Sequence, residues 1–167
     1  MKSATSHQIK QRTNANDVFI TPLGLAKLHI DSIDEKYNNS MWLDPCKNNG
    51  SYYDQFPETC KKDYCEILEN KDFFDYDTQV NVIVSNPPYS LLDHWIKKSI
   101  NLNPNVISYL ISQGALTTRR IQMFEKAGYG LIKLHLTKVW QWYGMSYIVI
   151  FEKGKESVIN YDRTVWR

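Results

Sequence analysis

A chain of 167 residues, 43% of them hydrophobic, carries enough apolar surface for one core of ordinary size and not for two, so a single domain is expected. Its formal net charge of +2 argues against a protein that grips duplex nucleic acid over a long footprint by charge alone, while leaving room for a local basic rim. No apolar run reaches the length of a bilayer span, the polar N-terminus lacks a signal-peptide core, and Cys46, Cys60 and Cys65 form no CxxC pair among scattered histidines; the expectation is a soluble cytoplasmic or nuclear protein with reduced thiols, no metal centre and no membrane partner.

Residues 1–16 have few apolar positions and no period, which predicts a flexible arm, followed by a domain over 17–153 and a tail over 154–167. Thr21-Pro22 offers an N-cap followed by proline at the first helical position, and Leu23, Leu25, Ala26, Leu28, His29, Ile30 and Ile33 give the apolar face of a helix behind it. Met41-Trp42-Leu43 reads as a short strand ending in Asp44-Pro45. Asn48-Asn49-Gly50 can adopt left-handed backbone angles, and Tyr52, Tyr53 and Phe56 suggest one or two helical turns. A second strand is expected over Tyr64-Cys65-Glu66-Ile67, then a loop through Asn70-Lys71-Asp72-Phe73-Phe74, then an apolar strand over Val80–Ser85.

Ser90 with Asp93 is a candidate cap for a helix over Leu91–Ile100. Val106–Ile111 is a continuous apolar strand, Thr117–Lys126 a helix stopped by Gly128, and Leu131–Val139 and Tyr147–Phe151 the last two strands. Strands alternating with short helices predict a doubly wound, mostly parallel sheet covered on both faces, with an antiparallel hairpin at its C-terminal edge.

The most informative string is Asn86-Pro87-Pro88-Tyr89, directly after an apolar strand. Two prolines fix φ and remove two N–H donors, so the neighbouring carbonyls are held at a set angle. An exocyclic amine placed there could donate one hydrogen to the Asn86 side-chain oxygen and one to the Pro87 carbonyl, with Tyr89 over the ring that carries it. The string resembles the catalytic loop of the amino-methyltransferases that use S-adenosylmethionine, above all the N6-adenine enzymes of DNA and RNA, and matches it at Asn86, Pro87, Pro88 and Tyr89.

What that resemblance implies is a class I (Rossmann-like) methyltransferase fold with its site beyond the carboxyl ends of the strands. Asp44-Pro45-Cys46-Lys47-Asn48-Asn49-Gly50 resembles the family's cofactor loop, with Gly50 at the second glycine position and Asn48 in place of the first; Asp44, Cys46 and Gly50 are the residues it implies. Glu66 stands where the family places an acid that accepts from the ribose hydroxyls, an acceptor-only role that suits a carboxylate. Asp72 and Phe73 resemble the motif that meets the cofactor's adenine, and Phe74 reads rather as core. Phe19-Ile20-Thr21-Pro22 is similar to an N-terminal motif that places Thr21, Pro22 and the following helix dipole at the methionine carboxylate, with Asn86 closing the cofactor site.

For the target, the resemblance implies a pocket lined by Tyr89 and an aromatic of Trp140-Gln141-Trp142-Tyr143-Gly144, the candidates being Trp140, Trp142 and Tyr143, with Arg119 and Arg120 on a basic rim toward phosphate. The expected partner is DNA or RNA presenting a single-stranded or flipped-out adenine, with target recognition supplied by a partner protein or a second copy of the chain, since no separate recognition domain is seen. Three alternatives stay open. A protein glutamine N5-methyltransferase suits the motif equally, because a carboxamide has the same two donors, although those enzymes usually bear an N-terminal helical domain. The others are a catalytically silent nucleic-acid-binding or scaffold subunit, motivated by Asn48, and another exocyclic amine such as cytosine N4.

Overall fold

The computed structural model describes residues 19–138 and 145–162. Six strands form one sheet: β1 (Met41–Asp44), β2 (Lys61–Tyr64), β3 (Val82–Ser85), β4 (Val106–Ser112), β5 (Tyr129–Thr137) and β6 (Ser146–Lys153). Their spatial order is β2-β1-β3-β4-β6-β5, with β2, β1, β3 and β4 mutually parallel and β6 antiparallel to both β4 and β5. The expected final hairpin is therefore present, but its second strand is inserted between β4 and β5 rather than added outside them.

Period-two alternation divides the strands' side chains between two cores. Trp42, Val82, Val84, Leu110, Ile148 and Ile150 face helix α1 (Leu23–Asp31) together with Tyr52 and Phe56. Leu43, Ile83, Ile107, Tyr109, Val149 and Phe151 face α2 (Leu92–Asn101) and α3 (Thr118–Lys126) through Leu92, Trp95, Ile96 and Phe124. Of the apolar face expected for α1, only the stripe Ala26, His29, Ile30 and Ile33 is buried, while Leu23 and Leu28 are exposed. Nothing between β1 and β3 is an α-helix. Short 3-10 turns at Tyr53–Gln55, Ile67–Glu69 and Phe73–Asp75 do the connecting, in keeping with the short Glu66–Asp72 interval.

Three local expectations are corrected. The second strand lies three residues earlier than expected, because Lys61 and Lys62, whose exposed charges suit a sheet edge, belong to it and the chain turns away after Cys65. Pro22, not Thr21, is the N-cap of α1, and its carbonyl accepts from the Leu25 and Ala26 amides. The start of α2 has no side-chain cap: a 3-10 turn over Tyr89–Leu91 leads into it, and the Asp93 carboxylate is drawn instead to Arg119 and Arg120 of α3. The helix expected over Thr117–Lys126 starts one residue later, with Thr117 as its N-cap accepting from the Arg120 amide, and Gly128 takes φ +85° behind it as expected.

The switch point of this order falls between β1 and β3, since the chain leaves β1 toward one edge and returns to build the sheet toward the other. Asp44 and Ser85 end those two strands, and the Ser85 hydroxyl donates to Asp44 Oδ1 at 3.4 Å across the gap.

Candidate active site

Everything that the sequence singled out at strand ends meets around this gap. After β1 the chain makes a tight loop in which the Lys47 amide donates to the Cys65 carbonyl and the Gly50 amide to the Lys47 carbonyl. Asn48 takes φ +49° and Gly50 φ +88°, so asparagine does fill the first turn position with left-handed backbone. At Gly50 a Cβ would stand 2.4 Å from Oδ2 of the exposed Asp54 side chain, which can swing aside, so it is the backbone angle that calls for glycine.

Asp44 is fully buried beneath that loop. Its Oδ1 accepts from the Cys46 amide at 3.1 Å and from Ser85, while Oδ2 has no hydrogen bond of good geometry, the Tyr53 backbone being the further dipole that acts on this carboxylate. Burial pushes its carboxyl up to about 7, with the nearby Glu66 carboxylate acting in the same direction. Glu66, nearly buried, ties the loop down from the other side: Oε2 accepts from the Asn48 amide at 2.9 Å and Oε1 from the Leu68 amide at 3.1 Å. A carboxylate has about four acceptor positions, so two backbone bonds leave capacity for two more donors.

Beside Glu66 a cleft of about 60 Å³ is lined by Pro45, Cys46, Ile67, Asp72, Phe73, Pro88 and Trp95. Asp72 Oδ1 accepts from the Phe74 amide and so shapes the turn at the cleft's edge. Phe73 is the fully buried member of its pair, its ring 4.7 Å from that of Trp95, whereas Phe74 is only partly buried against the same core. Trp95 was not singled out from the sequence. Its indole Nε1 is buried without a partner, which a tryptophan on an otherwise amphipathic helix does not announce.

Asn86, the first residue past β3, is half-buried, and its Nδ2 donates to the Phe19 carbonyl at 3.3 Å and to Thr21 Oγ1 at 3.2 Å. A carbonyl can only accept, so the amide nitrogen must be the atom facing Phe19, and the side-chain oxygen is turned the other way. Pro87 and Pro88 are buried. Tyr89 follows with its ring against the core and its hydroxyl buried beside the Ser112 backbone without a hydrogen bond of good geometry; burial lifts that phenol to about 12. Among the described residues, the buried side-chain polar atoms lacking a partner are Asp44 Oδ2, Tyr89 Oη and Trp95 Nε1, and all three belong to this one region.

Arg119 and Arg120 begin α3 at the same end of the sheet. Arg120 is committed to Asp93 at 2.8 Å and to the Ala115 carbonyl, while Arg119, also on Asp93, stays more than half exposed. Trp140, Trp142 and Tyr143 lie outside the described residues, in the connection between Thr137 and Ser146, which pair with each other beside the end of β4.

No family model and no curated protein sequence matches the chain. Solved structures do. A chain of the E. cuniculi Mtq2–Trm112 complex, which is described as responsible for methylating the translation termination factor eRF1, matches with a TM-score of 0.63 at 15% identity, over 82% of this chain and 99% of that one. Magnesium protoporphyrin IX methyltransferase (ChlM) from Synechocystis PCC 6803, solved with bound SAM, gives 0.62 at 10% identity over 90% and 92%. The structure of aTrm5 with tRNALeu gives 0.61 at 16% identity over 82% of this chain and 48% of that one. The architecture is the Rossmann-like class I methyltransferase fold, mostly parallel with an antiparallel β5–β6 pair at one edge.

Proposed function

We propose that the chain binds S-adenosylmethionine at the β1–β3 switch point and transfers its methyl group to the N6 amine of an unpaired or flipped-out adenine in DNA or RNA. The observation that carries this reading is the orientation of Asn86: its NH₂ is spent on Phe19 and Thr21, so what it presents is a carbonyl oxygen, which selects a ligand that donates. The exocyclic amine of adenine is such a donor. The Pro87 carbonyl next in the chain suits the second hydrogen of the same amine.

The residues present fit the cofactor. Gly50 and Asn48 keep the loop backbone low, the unpartnered Asp44 Oδ2 suits an ammonium group, Glu66 has acceptor positions left for two ribose hydroxyls, and the cleft beside it offers Asp72, Phe73, Cys46 and the Trp95 indole to an adenine ring. Bound there, S-adenosylmethionine supplies the electrophilic methyl. The chain's own part is to hold the acceptor amine: bonds from it to Asn86 and the Pro87 carbonyl favour a pyramidal nitrogen whose lone pair is exposed, and Tyr89 fixes the plane of the ring. The proton leaves after transfer, when the nitrogen is cationic, so no strong base is required.

Glu66→Ala is expected to weaken binding of S-adenosylhomocysteine by about 1.5–3 kcal/mol, the range for charge-assisted hydrogen bonds. Calorimetry on the folded variant checks it, and unchanged affinity removes Glu66 from the site. Because a net charge of +2 offers little to offset the few kcal/mol of unstacking a base, single strands are expected to be methylated faster than the matching perfect duplex. Rates on paired oligonucleotides decide that, and a faster duplex sinks it.

The likeness to the Mtq2–Trm112 complex supports a second reading, methylation of a glutamine side chain in a protein, since a carboxamide donates to Asn86 as an adenine amine does. Mass spectrometry of nucleosides and of tryptic peptides after incubation with labelled cofactor separates the two: N6-methyladenosine or its deoxy form supports the first, N5-methylglutamine the second, and neither refutes both.

A further inference from the structure

Of the buried polar groups away from the cleft, one leads back to it. His29, in the last turn of α1, is completely buried on the helix face that packs on the sheet. Its Nε2 is 2.6 Å from Ser108 Oγ of β4 and its Nδ1 2.9 Å from the Tyr52 hydroxyl. Ser108 in turn donates to the Val149 carbonyl of β6 at 3.2 Å. At the other end the Tyr52 hydroxyl lies beside the Thr21 side chain, close enough for the two to interact, and Thr21 Oγ1 receives Asn86 Nδ2. Four hydrogen bonds, joined by the approach of Tyr52 to Thr21, thus lead from the centre of the sheet to the proposed catalytic amide.

Both ends of the line are backbone carbonyls, which can only accept, and they force one direction on everything between. From the sheet end, the Ser108 proton goes to Val149, so Ser108 accepts from His29 Nε2–H; Nδ1 is then an acceptor, and Tyr52 donates to it. With its own proton spent, Tyr52 accepts from Thr21, whose oxygen must then accept from Asn86. From the loop end, the Phe19 carbonyl independently demands Nδ2 of Asn86 on that side. The two derivations agree, and burial keeps the imidazole neutral by holding it down to about 3.

We infer that Tyr52 and His29 are positioning residues that act through Thr21 to keep the Asn86 carboxamide turned with its oxygen toward the substrate amine. The inference rests on the proposed role of Asn86, and it assigns a purpose to a buried histidine that packing alone does not need. A flipped carboxamide would present NH₂ to an amine and meet it donor to donor.

Tyr52→Phe tests it, because it keeps the ring that lies edge-on to His29 and removes only the hydroxyl. The variant is expected to lower the single-turnover rate about tenfold through loss of orientation, with the dissociation constant for S-adenosylhomocysteine within about twofold of wild type, and to speed hydrogen exchange of the Asn86 side-chain amide. His29→Gln, which offers one acceptor and one donor, is expected to recover much of the rate lost in His29→Leu. In the wild type, imidazole nitrogen shifts should report the Nε2–H tautomer. A folded Tyr52→Phe protein with unchanged rate and unchanged exchange, or an Nδ1–H tautomer in the wild type, overturns the inference. Should the wild type methylate no amine at all, the proposed function falls, while the tautomer and exchange measurements still decide the hydrogen-bond line.

Discussion

Asn86→Ala should reduce methyl transfer by about 10²–10³-fold, the scale for removing one preorganised hydrogen-bonding group aimed at a reacting centre. The side chain sits on a loop at the strand end, half exposed, and its hydrogen bonds among the described residues are the two donated by Nδ2, so their loss should cost about 1 kcal/mol of stability each and leave the sheet intact. Cofactor affinity should change little. The loss therefore belongs to the chemical step, and single-turnover measurements at saturating cofactor will show it as a fall in rate without a matching rise in the dissociation constant for S-adenosylhomocysteine. Asn86→Asp is the sharper control. It keeps an oxygen for the amine but has no proton for the Phe19 carbonyl, so it should fail through misplacement, and an Asn86→Ala protein that works at near the wild-type rate ends the proposed mechanism.

The features legible in the sequence were those with local causes. Prolines after an apolar run fixed the Asn86–Tyr89 corner, the Asn48–Gly50 cluster gave its left-handed turn away, and the continuous apolar strand Val106–Ile111 could only be central. β2 was misplaced because an edge strand needs no apolar face on its open side, and lysines there carry no strand signal. The caps of α1 and α2 were misread for a different reason: Thr21 and Asp93 have partners from distant segments, Asn86 and the α3 arginines, and these outcompete local capping. In the sequence His29 reads as part of an apolar helix face and Tyr52 as part of a short aromatic turn, and nothing marks Trp95. A titratable side chain inside the stripe Ala26–His29–Ile30–Ile33 is a signal of its own, because a buried imidazole must find a donor and an acceptor, but only the fold says where they are.

The same reasoning makes Asp44 the most informative residue for the cofactor. An ordinary aspartate titrates near 3.8, and burial raises this one to about 7. Since the folded state holds the proton more tightly than the unfolded chain, this carboxyl costs no stability at low pH and costs progressively more as pH rises toward 7, about 4 kcal/mol in all by the gap between the two values. Urea denaturation of the ligand-free protein should therefore show stability falling between about pH 4 and pH 7, and Asp44→Asn should flatten that slope. An ammonium group delivered to the unpartnered Oδ2 reverses the balance by favouring the carboxylate. Binding of S-adenosylhomocysteine should then release up to one proton near pH 6, visible as an enthalpy that depends on the buffer's own ionisation heat, and affinity should rise with pH until the carboxyl is ionised without help. Asp44→Asn should bind more weakly and lose both effects. A cofactor that binds the wild type with no proton release and no pH dependence over this range would mean that its ammonium lies elsewhere and that Asp44 only braces the loop through Cys46 and Ser85.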